Sequence, residues 1–186
     1  LPDGRLAACF HRGEVYIYAP KTKQWTLFAD GLHEPLGIVA EDNHTLVIMQ
    51  RPELTRLRDT DRDGTADHYE TLSDRFGMTG NYHEFAFGPA RDKAGNYYVG
   101  LNLASSGASI RPEIRGEFRH YGISREQFYK NHRAGSGRMY SATPFRGWIL
   151  KIAPDGKTTP FAPGFRSPND VNFDSAGRLW VTDNQG

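Results

Sequence analysis

The sequence predicts an all-β fold, a partial β-propeller of about three to four blades carrying one long irregular insertion. Three observations predict it. Helical periodicity is nearly absent, and short runs alternate apolar with polar positions between Gly, Asp and Pro turns. Similar tight turns recur immediately before strands. The recurrence has a period near ~40 residues, as expected for propeller blades.

The elements follow in order. Pro2-Asp3-Gly4-Arg5-Leu6 leads into a strand at Leu6–Phe10, which continues into Glu14–Tyr18. Glu41-Asp42-Asn43-His44-Thr45 is a degenerate copy ahead of Thr45–Met49. Ala94-Gly95-Asn96 opens Asn96–Leu101, Trp148–Ala153 is a further run, and Ala176-Gly177-Arg178 opens Arg178–Thr182. The turn residues at 4, 43, 95 and 177 are separated by 39, 52 and 82 positions. Taking segment 103–146 out of the last interval reduces it to 38. A β-sandwich has turns every ~8–12 residues without this longer repeat. Residues 1–186 therefore read as one partial propeller domain, with the insertion at 103–146. A closed ring usually needs more blades, so sequence outside this segment or another chain would cover the edge strands.

Composition agrees. The chain has 186 residues, 38% hydrophobic and 12% aromatic, with 20 Gly and 11 Pro, which suits a turn-rich globular fold and excludes disorder. No run approaches the ~20 apolar residues of a membrane-spanning helix. The start at Leu1-Pro2-Asp3 suggests a piece of a longer chain whose targeting signal lies elsewhere. Cys9 is the single cysteine, which excludes an internal disulfide, and its apolar run marks it as a small core residue.

The insertion holds eight Lys/Arg against three Asp/Glu, a local charge of +5, suited to an anionic cofactor or acidic glycan. Nothing else supports nucleic-acid binding. Within it, Ser124-Arg125-Glu126-Gln127 reads as a capping box opening a short helix through Tyr129. Ser105-Ser106-Gly107 and Gly135-Ser136-Gly137 read as flexible linkers. The seven His show no zinc spacing, and no Gly-rich phosphate loop precedes a helix.

Asp59-Thr60-Asp61-Arg62-Asp63-Gly64-Thr65-Ala66-Asp67-His68-Tyr69-Glu70 matches the calcium pattern D-x-D-x-D-G-x₅-E in full. Calcium takes about 6–8 oxygens, and alternating aspartates set three carboxylates on one side of a tight loop. The expected ligands are Asp59, Asp61, Asp63, the Thr65 carbonyl, Asp67 and Glu70. The flanking Glu53–Arg58 and His68–Leu72 alternate like strands, so the loop belongs at a hairpin tip. A solvated acidic turn is the alternative, with a structural rather than catalytic role if Ca²⁺ binds.

Polar residues cluster at strand ends. Asn81-Tyr82-His83-Glu84 precedes Phe85–Pro89, and a His there can act as general base, since its ordinary pKa is near ~6.5. A hydrogen-bonded structural His would occupy the same place. Gly164-Phe165-Arg166-Ser167-Pro168-Asn169-Asp170 precedes Val171-Asn172-Phe173; Arg166 offers a planar fork for carboxylate or ortho-quinone oxygens, and Asn169 shapes the loop or meets a ligand. Gln50 and Asp183 leave other strands, and topology would bring all of these to one end.

These residues resemble a known family. Leu36-Gly37, Gln50-Arg51-Pro52-Glu53-Leu54-Thr55-Arg56-Leu57, the acidic loop, His83-Glu84-Phe85-Ala86-Phe87, Gly164–Asn169 and Thr182-Asp183-Asn184-Gln185-Gly186 look like propeller domains of the glucose/sorbosone dehydrogenase-like superfamily, in the secreted branch found in planctomycetes. The resemblance implies a periplasmic or extracellular, Ca²⁺-stabilised domain dependent on pyrroloquinoline quinone (PQQ). It makes His83 the base that takes the proton of a sugar or alcohol, and Arg166 a quinone contact with Asn169 nearby; Gln50 and Asp183, polar at the ends of other strands, are the further expected cofactor contacts. It also implies a c-type cytochrome domain outside this segment. Ser167-Pro168 stand between Arg166 and Asn169, where the soluble glucose enzymes have Arg followed directly by Asn. The alternative is a non-catalytic propeller that binds glycan or a partner domain.

Overall fold

The computed structural model describes residues 1–105, 110, 114–118 and 139–184. Among them are strands and turns and no helix. The first sheet is β1 (Leu6–Cys9), β2 (Val15–Ala19) and β3 (Gln24–Ala29). The second is β4 (Gly37–Ala40), β5 (Thr45–Met49), β6 (Leu54–Arg58) and β7 (His68–Ser73), each antiparallel to the next. The short strands β10 (Ala104–Ser105) and β11 (Met139–Tyr140) pair with each other. The third sheet takes β8 (Ala86–Arg91) and β9 (Tyr97–Leu101), then β12 (Trp148–Ile152) and β13 (Thr158–Pro163), and the last holds β14 (Pro168–Phe173) and β15 (Leu179–Asp183). This is a partial propeller, with two complete four-stranded blades between a three-stranded and a two-stranded one.

The sequence runs foresaw most of these strands and missed β3, β4 and β13, whose edge and innermost positions lack a clean alternation, and the two-residue strands β10 and β11 inside the insertion. The middle strands show why the blades fan out rather than form a single sandwich. All five positions of β5 are buried. Val47 and Met49 pack toward Tyr97, Val99 and Leu150 of the next blade. Leu46 and Ile48 pack the other way, onto Val15, Ile17 and Phe28. The two-residue period of a strand thus serves two neighbours, each fully buried aliphatic contributing about 1.5–3 kcal/mol. β9 repeats the device, with Tyr97 and Val99 on one side and Tyr98 on the other with Ile149 and Val171.

The sequence repeat is visible at atomic level. Asp92 Oδ1 accepts the Ala94 and Asn96 N–H groups, and Asp174 Oδ1 accepts those of Ala176 and Arg178. Each aspartate also binds the aromatic residue six positions on, through the Tyr98 hydroxyl at 3.2 Å and the Trp180 indole N–H at 2.9 Å. Gly4, Gly95 and Gly177 stand at φ of +86°, +86° and +79°, which the turn requires and Gly adopts without strain.

The innermost strands β4, β8 and β14 lie side by side and line a cleft of about 350 Å³. A Cβ on Gly37 would stand 1.4 Å from the Gly88 carbonyl oxygen, so the backbones meet where no side chain fits. Between the two complete blades, Glu41 accepts hydrogen bonds from Arg56 at 2.8 and 3.1 Å and from the Tyr97 hydroxyl. Burial works against its charge, but the Tyr97 and Arg56 donors hold its pKa below the usual carboxylate value.

The insertion leaves between β9 and β12, which are paired neighbours. It begins and ends as the β10–β11 pair over a small cluster of Ala104, Ile110, Tyr140 and Ala142. Arg115 ties it down, donating to the carbonyls of Phe76 (3.0 Å) and Pro52. Ser105 is therefore a buried strand residue and not a linker. The expected helix at 124–129, the linker at 135–137 and much of the basic charge lie outside the described residues. Cys9 is half-buried against the core between the first two blades, and burial raises its pKa.

Candidate functional site

The loops that enter the innermost strands meet the loops that leave the second strands at one end of the propeller. Arg51, just past β5, donates to the Tyr82 carbonyl at 2.6 Å. Asn102 and Leu103, just past β9, donate their N–H groups to Phe85 and Arg166, both at 3.0 Å. Ser105 reaches the His83 ring at 2.7 Å. His83 and Arg166 consequently flank one short segment, residues 102–105, on the same rim.

His83 is exposed and lies just before β8. Its Nδ1 is engaged by the Ser105 hydroxyl, and its Nε2 has no partner among the described residues. The Tyr82 ring, 62% exposed, stands edge-on to it with centroids 5.1 Å apart. Asn81 fixes this corner, since its Oδ1 accepts the N–H groups of His83 and Ser105 (both 3.1 Å) and its Nδ2 donates to the Ser105 carbonyl at 3.0 Å.

Glu84 does not orient His83. It is fully buried, and its Oε2 accepts the N–H and hydroxyl of Thr79, both at 2.7 Å. Arg146, 1% exposed, lies behind it and donates to the carbonyls of Gly77, Glu84 and Phe85 at 2.8–3.3 Å. Burial pushes the Arg146 pKa down to about 10, with Glu84 opposing the fall, so it stays charged at neutral pH. Sequence reasoning missed Arg146, Asn81 and Ser105 as site-building residues. The nearest signal was an Arg just before the Trp148 strand.

The expected cofactor contacts separate. Arg166 is half-buried; one Nη donates to the Asn184 carbonyl at 2.8 Å, leaving other donors of its fork available. Asp183 spends its carboxylate on the N–H groups of Arg166 (3.1 Å) and Ser167 (2.6 Å), so it holds the loop. Gln50 is buried, accepting the His33 N–H at 2.7 Å and donating to the Thr55 hydroxyl at 2.7 Å; it too is structural. Asn169 is exposed and lines the axial cleft.

The acidic loop lies at the opposite end, between β6 and β7, where Asp59 N–H donates to the His44 carbonyl in the β4–β5 turn. Asp59, Asp61 and Asp63 each bring a carboxylate oxygen within 4.8 Å of the others. Asp59 is 5% exposed; its Oδ2 accepts from Gly64 N–H at 3.1 Å and meets His44 Nδ1 at 3.2 Å, while its buried Oδ1 has no hydrogen-bond partner. Asp67 is bound instead by the Thr60 hydroxyl and N–H, which lower its pKa. Glu70 is not brought to the cluster. It sits on β7 and pairs with Arg56 at 3.2 Å and Arg58 at 3.0 Å, because strand register points it at β6.

No curated protein matches the sequence. A streptogramin B lyase structure covers 100% of this chain at 11% identity with a TM-score of 0.57. A gluconolactonase from Xanthomonas campestris covers 91% at 17% identity and 0.54, and another structure, of a putative gluconolactonase, 94% at 16% and 0.55. The chain spans 46%, 41% and 49% of those three structures. At these identities the likeness shows the propeller fold alone. The family described as "Domain of unknown function (DUF7133)" matches residues 21–142, most of the chain, and the protein belongs to that family.

Proposed function

We propose that this chain is the propeller part of a sugar-handling protein and that the rim bearing Tyr82, His83 and Arg166 binds a polyhydroxylated small molecule. The observation that carries the reading is the exposed Tyr82 ring beside an imidazole whose Nε2 has no partner among the described residues. An exposed aromatic face takes the apolar face of a sugar ring while neighbouring polar groups take its oxygens. The open part of the Arg166 fork suits a carbonyl or carboxylate oxygen. One structure of similar fold is described as a gluconolactonase of glucose metabolism and another as a putative gluconolactonase, which supports a sugar-derived ligand. Calorimetric titration of the full-length protein with glucose, gluconate and a polyol tests this. Binding that weakens at least about tenfold in Tyr82→Ala and in Arg166→Ala is expected, a loss of about 1.4 kcal/mol. No binding, or equal affinity in both variants, would sink it.

A quinone-dependent sugar or alcohol dehydrogenase, with a c-type cytochrome domain as electron acceptor, uses the same rim and is favoured by the open donors of Arg166. The described residues do not complete a PQQ site, however. Gln50 and Asp183 are committed to the loops, Asn169 faces the axial cleft, and Arg166 alone of the expected set stands ready at the rim.

The same proposal includes a structural Ca²⁺ held by Asp59, Asp61 and Asp63, with the Thr65 carbonyl and water supplying further oxygens. The unpartnered buried Oδ1 of Asp59 supports it, because a carboxylate oxygen out of water needs a donor or a cation. A periplasmic or extracellular setting, rich in calcium, belongs to this reading.

A further inference from the structure

Among the described residues the Ser105 hydroxyl is the one group hydrogen-bonded to the His83 ring, and the inference rests on what that hydroxyl needs. Ser105 is 5% exposed, and among the described residues His83 Nδ1 is the sole hydrogen-bond partner of its Oγ, at 2.7 Å. The Asn81 side chain, which is close by, is committed to the Ser105 main chain. A buried hydroxyl proton without an acceptor is costly, so the Ser105 O–H donates to Nδ1. A neutral imidazole that accepts at one nitrogen carries its proton on the other.

We propose that Ser105 is a positioning residue that sets the tautomer of His83, placing the ring proton on Nε2 and making His83 a hydrogen-bond donor toward the rim. This deepens the binding reading above and rests on it for the ligand. With an N–H at His83 and the guanidinium of Arg166 on one rim, the site favours ligands that present acceptor oxygens, a sugar carboxylate before a neutral sugar. It also separates the two readings, since the dehydrogenase reading requires a lone pair at Nε2 to take a hydroxyl proton.

The test is long-range ¹H–¹⁵N NMR of the full-length protein labelled at histidine, at about pH 8, where an ordinary imidazole is neutral. The Nε2–H tautomer is expected in the wild type, a mixed population in Ser105→Ala, and return of Nε2–H in Ser105→Thr, which restores the hydroxyl. The Asn81 bonds to the Ser105 main chain survive both substitutions, so the corner is retained. An Nδ1–H ring in the wild type, or an unchanged tautomer in Ser105→Ala, overturns the assignment whatever the titrations give. Gluconate should bind at least about fivefold more tightly than glucose in the wild type, and Ser105→Ala should narrow that ratio. An equal ratio in both proteins overturns the ligand preference. A protein with the expected tautomer that binds neither compound upholds the role of Ser105 and removes the binding reading.

Discussion

The two ends of this propeller carry charge in opposite ways. At the acidic-loop end, Asp61, Asp63 and Asp67 are exposed and held by local N–H and hydroxyl groups within the loop. At the rim end, Arg51, Arg146 and Glu84 are buried, and the two arginines take their partners from distant parts of the chain, Arg51 reaching across 31 residues to Tyr82 and Arg146 across 69 to Gly77. Local turns are stable modules that sequence spacing can reveal. Buried guanidinium clamps exist only after the blades have come together, and they support the loops on which a binding site must sit.

The sharpest way to break this contrast is Arg146→Met. It strands three carbonyls and the Glu84 carboxylate without their cation, and should cost about 3–5 kcal/mol. For a chain of this size that lowers Tm by roughly 10 °C or more in a thermal melt. A loss below about 1 kcal/mol would show the clamp to be incidental. Gly37→Ala tests the axis at the same end, where the added methyl would overlap the Gly88 carbonyl. About 3 kcal/mol is expected from forced separation of β4 and β8, read by urea unfolding.

The acidic-loop end should behave as a separate ledge. Ca²⁺ at a hundred times its dissociation constant adds about 2.7 kcal/mol, so chelation should lower Tm by several degrees. Asp59→Asn should remove that response while leaving gluconate titration at the far rim unchanged. The smallest expected effect concerns Glu41. Its folded pKa lies below its unfolded value, so its contribution is present above the unfolded value and is lost as pH falls through the folded one. Stability should therefore decline as pH falls below the ordinary glutamate value of about 4.5, and Tyr97→Phe, which removes one donor, should cost about 1 kcal/mol at pH 7 and flatten that decline.

The propeller was legible because its signals are local. The aspartate–glycine turns repeat at blade spacing, and each makes the same bonds within a few residues. The acidic loop was legible for the same reason, although its last expected ligand was not. Glu70 satisfies the motif in one dimension, and the β6–β7 register spends it on two arginines. Gln50 and Asp183 looked like ligand contacts because polar residues at strand ends face a shared rim, but each closes a loop through groups its neighbours supply. Ser105 was hidden by composition, since a Ser-Ser-Gly run reads as a tether, and only the β10 pairing shows Ser105 buried against Asn81 and His83.

The insertion departs from one strand and returns to that strand's own hydrogen-bonding partner, so its two roots are neighbours in space. Lengthening a connection between points already held together adds only about 0.6 kcal/mol of closure entropy per doubling. This doorway can therefore be refitted with segments of very different size while the surrounding blades keep their registers. Diversity among related chains is expected to concentrate there, at roots that adjoin the rim shared by His83 and Arg166.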